Sequence, residues 1–299
     1  MENILTLVYE GGIYRFDEMS DLLEDVGAHI LRREDTAIST MALISIYEAD
    51  LQIVEEKARS IGGELKRASL AGSEIAVVSP SPSGRHLPHP SCDIAEFMRR
   101  AGAQTILINL ARGVGQEPIL ENFERDLINE CDLAVFIFGE STHCIEKRKS
   151  VLFEDLTVPI VVTGGPHDCS VPRSFGYVGG FGRKTTRLKG KNEIKSLNRL
   201  IKIVDEALSS AKSEIYSDLP QVPLPALGRL IEKDVPEVKD ILSPSPITIK
   251  VDGLRVKLPY DEYSEKISNV MFMGSKLRDI ASVSRSVLKD NVLVRLKPR

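Results

Sequence analysis

Three short stretches of this sequence put a cysteine beside a histidine, each just after an apolar run. They are residues 79–93 (SPSPSGRHLPHPSCD), 139–144 (GESTHC) and 163–169 (TGGPHDC). Cys92, Cys144 and Cys169 thus have His86 and His89, His143 and His167 as near neighbours. Thiolate with imidazole suits zinc or iron–sulfur chemistry, whereas magnesium would call for carboxylates. Cys92 and Cys144 also stand where helices are expected to begin, and a helix macrodipole there favours a thiolate, as ligand or as nucleophile. The fourth cysteine, Cys131, ends an expected helix and precedes a strand. It reads as a small buried hydrophobe at the other edge. His29, the remaining histidine, lies far from these stretches and reads as an ordinary surface or core residue.

What must position these residues is a parallel sheet. Between residues 73 and 215, short apolar strands (75–78, 105–110, 133–138, 160–163, 175–178) alternate with helices (92–100, 120–129, 144–153, 193–213). Such alternation implies right-handed crossovers and a sheet covered on both faces. The expected fold is a doubly wound α/β domain of flavodoxin-like or nitrogenase-component-like type. In such sheets ligands bind beyond the carboxyl ends of the strands. Each cysteine–histidine stretch follows a strand, so all three fall at that edge.

Two smaller units flank this domain. Residues 1–72 read as a small α+β unit with a helix at 16–26, a strand at 40–47, a helix at 48–61 and a strand at 64–70. That is half of a ferredoxin-like fold, suited to oligomerisation or docking. A proline-rich linker (LPQVPLP, 219–225) opens residues 216–299. There a helix at 226–232, strands at 247–251 and 254–258, a helix near 275–288 and a strand at 292–296 suggest an α+β packing lobe.

Other features exclude more than they assign. The net charge of −4 and 5% aromatic content argue against a general nucleic-acid binder. No apolar run reaches membrane-spanning length, and the opening MENILTLVYEGG lacks a basic leader region, so a cytoplasmic location with reduced cysteines is expected. GGFGRKTT at 179–186 superficially suggests a phosphate loop. Arg183 interrupts the required Gly-Lys-Thr, and no helix is expected at Lys184, so ATP hydrolysis is rejected. The Gly-rich basic stretch 179–191 remains a candidate docking loop. Arg112, in ARGVG after the second strand of the sheet, can hold a carboxylate or phosphate of a bound cofactor.

The segments AGSEIAVVSP (71–80) and HLPHPSCDIAE (86–96) resemble the methanogenesis marker protein 7 family. The likeness extends through YEGGIY (9–14), NLARG (109–113), DLAVF (132–136), the His143–Cys144 pair, LFED (152–155) and PIVVTGGP (159–166), most of the chain. The resemblance implies an archaeal subunit of the assembly that reductively activates methyl-coenzyme M reductase. ATP there is hydrolysed by a separate ATPase subunit, and iron–sulfur clusters related to the nitrogenase-cofactor precursor accompany the assembly. The expected partners are other marker proteins, that ATPase and the reductase itself. On this reading Cys92, Cys144 and Cys169 are the expected cluster ligands, with His89 and His167 as supporting ligands or second-sphere donors. His86, His143 and Arg112 would contact the cofactor, and three cysteines without a CxxC pair are a sparse set that leaves room for ligands from another subunit. A cofactor-free scaffold and an enzyme using Cys92 as nucleophile are the alternatives.

Overall fold

The computed structural model describes residues 4–79, 90–110, 119–181, 190–218 and 222–298. The first sheet holds β1 (Ile4–Gly12), β2 (His29–Asp35), β3 (Ser39–Tyr47) and β4 (Glu64–Arg67), with α1 (Phe16–Asp25) and α2 (Leu51–Ser60) between strands. All its pairings are antiparallel, in the order β2-β3-β1-β4. The chain therefore builds a complete β-α-β-β-α-β arrangement where half of one was expected. β1 carries glycines at its end, and β2 (HILRRED) is charged enough to resemble a loop. Pairing with β3 decides both.

Next come β5 (Glu74–Ser79), α3 (Pro90–Arg100), β6 (Gln104–Asn109), α4 (Asn122–Asn129), β7 (Leu133–Ile137), β8 (Ile160–Thr163), β9 (Gly176–Val178) and α5 (Lys191–Asp218). The five strands form one parallel sheet, ordered β6-β5-β7-β8-β9. β5, β7 and β8 are buried at every position, as strands covered on both faces must be. α3 and α5 pack Ile94, Met98, Leu200 and Val204 on one face. α4, with Ile145, Leu152 and Phe153, packs on the other.

The third sheet contains β10 (Ile247–Ile249), β11 (Gly253–Pro259), β14 (Ala281–Arg285) and β15 (Asn291–Leu296), antiparallel in the order β10-β11-β15-β14. α6 (Leu224–Asp234) and α7 (Tyr260–Ser268) pack against it, and a small hairpin, β12 (Met271–Phe272) with β13 (Ser275–Lys276), follows α7. The helix expected near 275–288 is a correction. Only Leu277–Ile280 is helical, and residues 281–285 form β14, because five backbone pairings with β15 outweigh their weak local preference.

Ion pairs join the sheets. Arg255 of β11 is fully buried. Its Nε and Nη2 donate to both carboxylate oxygens of Glu74, at 2.7–3.1 Å, and its Nη1 donates to Glu130 Oε2 at 2.8 Å and to Ser286 Oγ. Beside it, Lys250 Nζ donates to Asp132 Oδ1 at 3.1 Å and to the Glu130 carbonyl. Burial works against the Lys250 ammonium, yet the Asp132, Asp252 and Glu74 carboxylates outweigh it and raise its pKa. Glu74 opens β5, while Glu130 and Asp132 lie just before β7, so this joint occupies the amino-terminal edge of the parallel sheet. The first sheet is tied in by Arg32, whose guanidinium donates to the Arg99 and Ala103 carbonyls at the end of α3, each at 2.8 Å.

Candidate functional site

Parallel strands all point the same way, so the segments after β7 and β8 leave the sheet side by side at its carboxyl edge. Backbone bonds lock them together. Phe138 N–H donates to the Thr163 carbonyl at 2.8 Å, and Gly165 N–H to the Gly139 carbonyl at 3.0 Å. Gly164 and Gly165 are needed for this closeness. A Cβ on Gly164 would press on Ile145 and the Tyr177 hydroxyl, each at 2.9 Å, and one on Gly165 would overlap the Glu140 carboxylate. Gly179 packs similarly on the backbone of Pro166 and His167.

Two of the predicted loops meet here. Residues 144–148 form a single π-helical turn, followed by a 3-10 turn at Ser150–Phe153, in place of the expected regular helix. The Lys149 N–H reaches back five residues to the Cys144 carbonyl at 3.0 Å. Cys144 therefore does not sit at the start of a sustained helix and lacks the macrodipole expected there. Within this turn Glu146 Oε1 accepts the Ser170 N–H at 2.9 Å, tying the Cys144 turn to the residue after Cys169. Both thiols are partly buried, and His143 and His167 are exposed.

Each thiol also has a charged or polar neighbour that the sequence did not single out. The Tyr177 phenol lies against Cys169 and donates to the Pro166 carbonyl at 2.8 Å. Burial pushes its pKa well above the ordinary range, reinforced by Cys169 and by the Glu140 and Asp168 carboxylates, so it stays a donor. Lys149 faces Cys144, and burial lowers its pKa while the thiol opposes that shift. The glycine pairs 164–165 and 179–180 were the signal that this edge is crowded.

Cys92 is exposed in the first turn of α3. That helix packs on the opposite face of the sheet from Ile145 and Cys169. His86, His89, Arg112 and residues 182–189 of the basic stretch lie outside the described residues. Among the described residues, no three histidine, cysteine or acidic side chains gather closely enough to hold a metal ion. Cys131 is buried at the opposite edge, its Sγ against the Leu127 carbonyl at 3.4 Å, and burial raises its pKa strongly. His29 pairs its Nδ1 with Arg229 at 2.8 Å, and burial lowers its pKa.

Comparison with known proteins fixes the relationship. The sequence matches the model of the methyl-coenzyme M reductase operon protein C family over residues 4–270. The chain belongs to that family. An uncharacterized protein of Methanocaldococcus jannaschii, MJ0094, is 41% identical over 292 residues, covering 97% of this chain and 93% of the relative. The methyl-coenzyme M reductase I operon protein C of the same organism is 26% identical over 138 residues, 42% of this chain and 66% of that protein. A solved glutamyl-tRNA reductase from Methanopyrus kandleri aligns over 80% of this chain and 86% of its own at 12% identity. Its TM-score of 0.22 is too low to bear on fold or function. Among the described residues no helix is long and apolar enough to cross a membrane.

Proposed function

We propose that this member of the operon protein C family corresponds to methanogenesis marker protein 7 and serves the assembly that reductively activates methyl-coenzyme M reductase. The observation carrying the proposal is the family match over residues 4–270. The parallel sheet is read as a flavodoxin-like, doubly wound unit whose switch point lies between β5 and β7, where neighbouring crossovers diverge. The segments leaving those strands lead to Cys92 and to Cys144.

For an iron–sulfur cluster the donors fit in kind, since Cys144 and Cys169 share a crowded, partly exposed edge. They do not fit in number, because no three donors converge among the described residues. The chain is therefore proposed to share a cluster, with Cys144 and Cys169 facing it, Cys92 approaching from the other face of the sheet, His89 as a supporting ligand, and a partner completing the set. ATP is proposed to be spent by a separate subunit. Anaerobic purification of the assembled complex, with iron and sulfide analysis and an electron paramagnetic resonance spectrum, tests this. Cys144→Ala and Cys169→Ala are each expected to lower iron content. Unchanged iron in both variants and in Cys92→Ala would overturn the ligand assignment.

A cofactor-free scaffold is the second reading. It is favoured by the local partners the thiols already have, Tyr177 for Cys169 and Lys149 for Cys144. An intact complex that is colourless and holds no iron would favour it.

A further inference from the structure

We propose that an open cleft at the opposite, amino-terminal edge of the parallel sheet binds a small anion with an apolar body, such as a medium-chain carboxylate. The cleft encloses about 420 Å³, within the range of small-molecule sites. Its floor is apolar, built from Phe153, Leu156 and Ile160, with Phe175 on the rim. Arg173 is the only charged residue lining it.

Both walls are held in place. On one, Asn129 Nδ2 donates to the Asp155 carbonyl at 3.1 Å, and Asn129 Oδ1 accepts the Thr157 N–H at 2.9 Å. On the other, Phe175 N–H donates to the Ile160 carbonyl at 2.7 Å, and the Ser174 hydroxyl donates to Val171 at 2.9 Å. Phe175 is thereby fixed on the rim while 48% exposed.

The charge pattern sets the ligand's sign. Arg173 has φ of 63°, a left-handed conformation that is uncommon for an arginine and costs free energy unless its surroundings enforce it. Its guanidinium is exposed and makes no hydrogen bond or ion pair with a described residue. Asp155, just outside the cleft beside Leu156, faces Arg125 at 3.9 Å. An unpaired guanidinium beside an apolar floor recognises a carboxylate or phosphate attached to a hydrocarbon or ring.

The test titrates the full-length chain with octanoate, octyl phosphate and 1-octanol, read by calorimetry and ligand-observed NMR. Octanoate and octyl phosphate are expected to bind at one site, and octanol about tenfold or more weakly, since a charged hydrogen bond is lost. Arg173→Gln should weaken the two anions by the same factor and leave octanol unchanged. Its side chain is exposed, so the fold is preserved. Phe175→Ala should weaken all three. Equal affinity for octanol and octanoate, an unaffected Arg173→Gln variant, or no saturable octanoate binding at millimolar concentration each overturns the proposal. The last result would leave the cleft to a protein segment.

Discussion

Replacing Arg255 should cost more stability than any surface change, and the amount follows from what it leaves behind. The guanidinium satisfies Glu74 through three hydrogen bonds, Glu130 through one, and Ser286. Both glutamate side chains are largely buried, 4% and 11% exposed. Arg255→Ala therefore leaves the buried Glu74 carboxylate without its cation, while Glu130 keeps the Ser286 hydroxyl and the Val287 N–H as donors. Removing one partner of a buried pair costs about 3–5 kcal/mol, most of it the penalty of the uncompensated charge. For a chain of 299 residues that corresponds to a fall of roughly 5–8 °C in melting temperature. Arg255→Lys keeps the charge but loses the planar fork, so an intermediate loss is expected. The decisive variant is Glu74→Met combined with Arg255→Met. It removes charge from both sides, so its loss should be smaller than the sum of the two single losses by more than 1 kcal/mol. Urea midpoints and thermal melts of the wild type, the two single Met variants and the double variant measure this, with Arg255→Ala and Arg255→Lys alongside. Strictly additive losses, or an Arg255→Ala variant that melts with the wild type, would refute the view that this buried pair joins the second and third sheets.

Three further outcomes follow from the same geometry. Under native, metal-free conditions iodoacetamide should label Cys92 first and Cys144 and Cys169 more slowly. Cys131 should react only after unfolding, because it is buried and its thiol pKa is raised. Mass spectrometry of timed digests gives the order, and early labelling of Cys131 would contradict the packing. The Tyr9 hydroxyl is buried between Gly11 and Gly63 with no hydrogen-bond partner among the described residues, so Tyr9→Phe should be neutral or stabilising by up to about 1 kcal/mol; a loss of that size would reveal a partner. Glu18, hydrogen-bonded by Arg15 and then Lys57, has its pKa lowered to about 2. A depressed carboxyl stabilises the fold above its unfolded value of about 4.3 and loses that contribution as pH falls toward 2. Glu18→Gln should lower the melting temperature slightly near pH 7, and its difference from the wild type should shrink through that window and vanish near pH 2.

How much of this was legible in the sequence divides along the two edges of the parallel sheet. The runs at β5, β7 and β8 announce themselves, because a strand buried on both faces has no polar side to show. Once they are placed, chain direction alone sends residues 139–144 and 163–169 to one edge. What periodicity could not show is their local form. The π turn at Cys144 depends on Glu146 reaching Ser170, a contact across 24 residues. The amino-terminal edge was hidden for a similar reason. Glu74, Glu130 and Asp132 look like ordinary solvated charges beside apolar strands, since Arg255 lies 181 residues beyond Glu74. The available hint was position: an acid directly abutting a fully apolar strand is drawn inside with it, and burial then demands a cation from elsewhere in the chain. β14 was lost to the same long-range logic, its five residues becoming a strand only because β15 offers an edge. The two edges consequently ask for different experiments. Substitutions of Cys144 and Cys169 at the carboxyl edge should change what the protein binds at little cost in stability, and those of Arg255 or Glu74 at the amino-terminal joint should unfold it before they change any ligand.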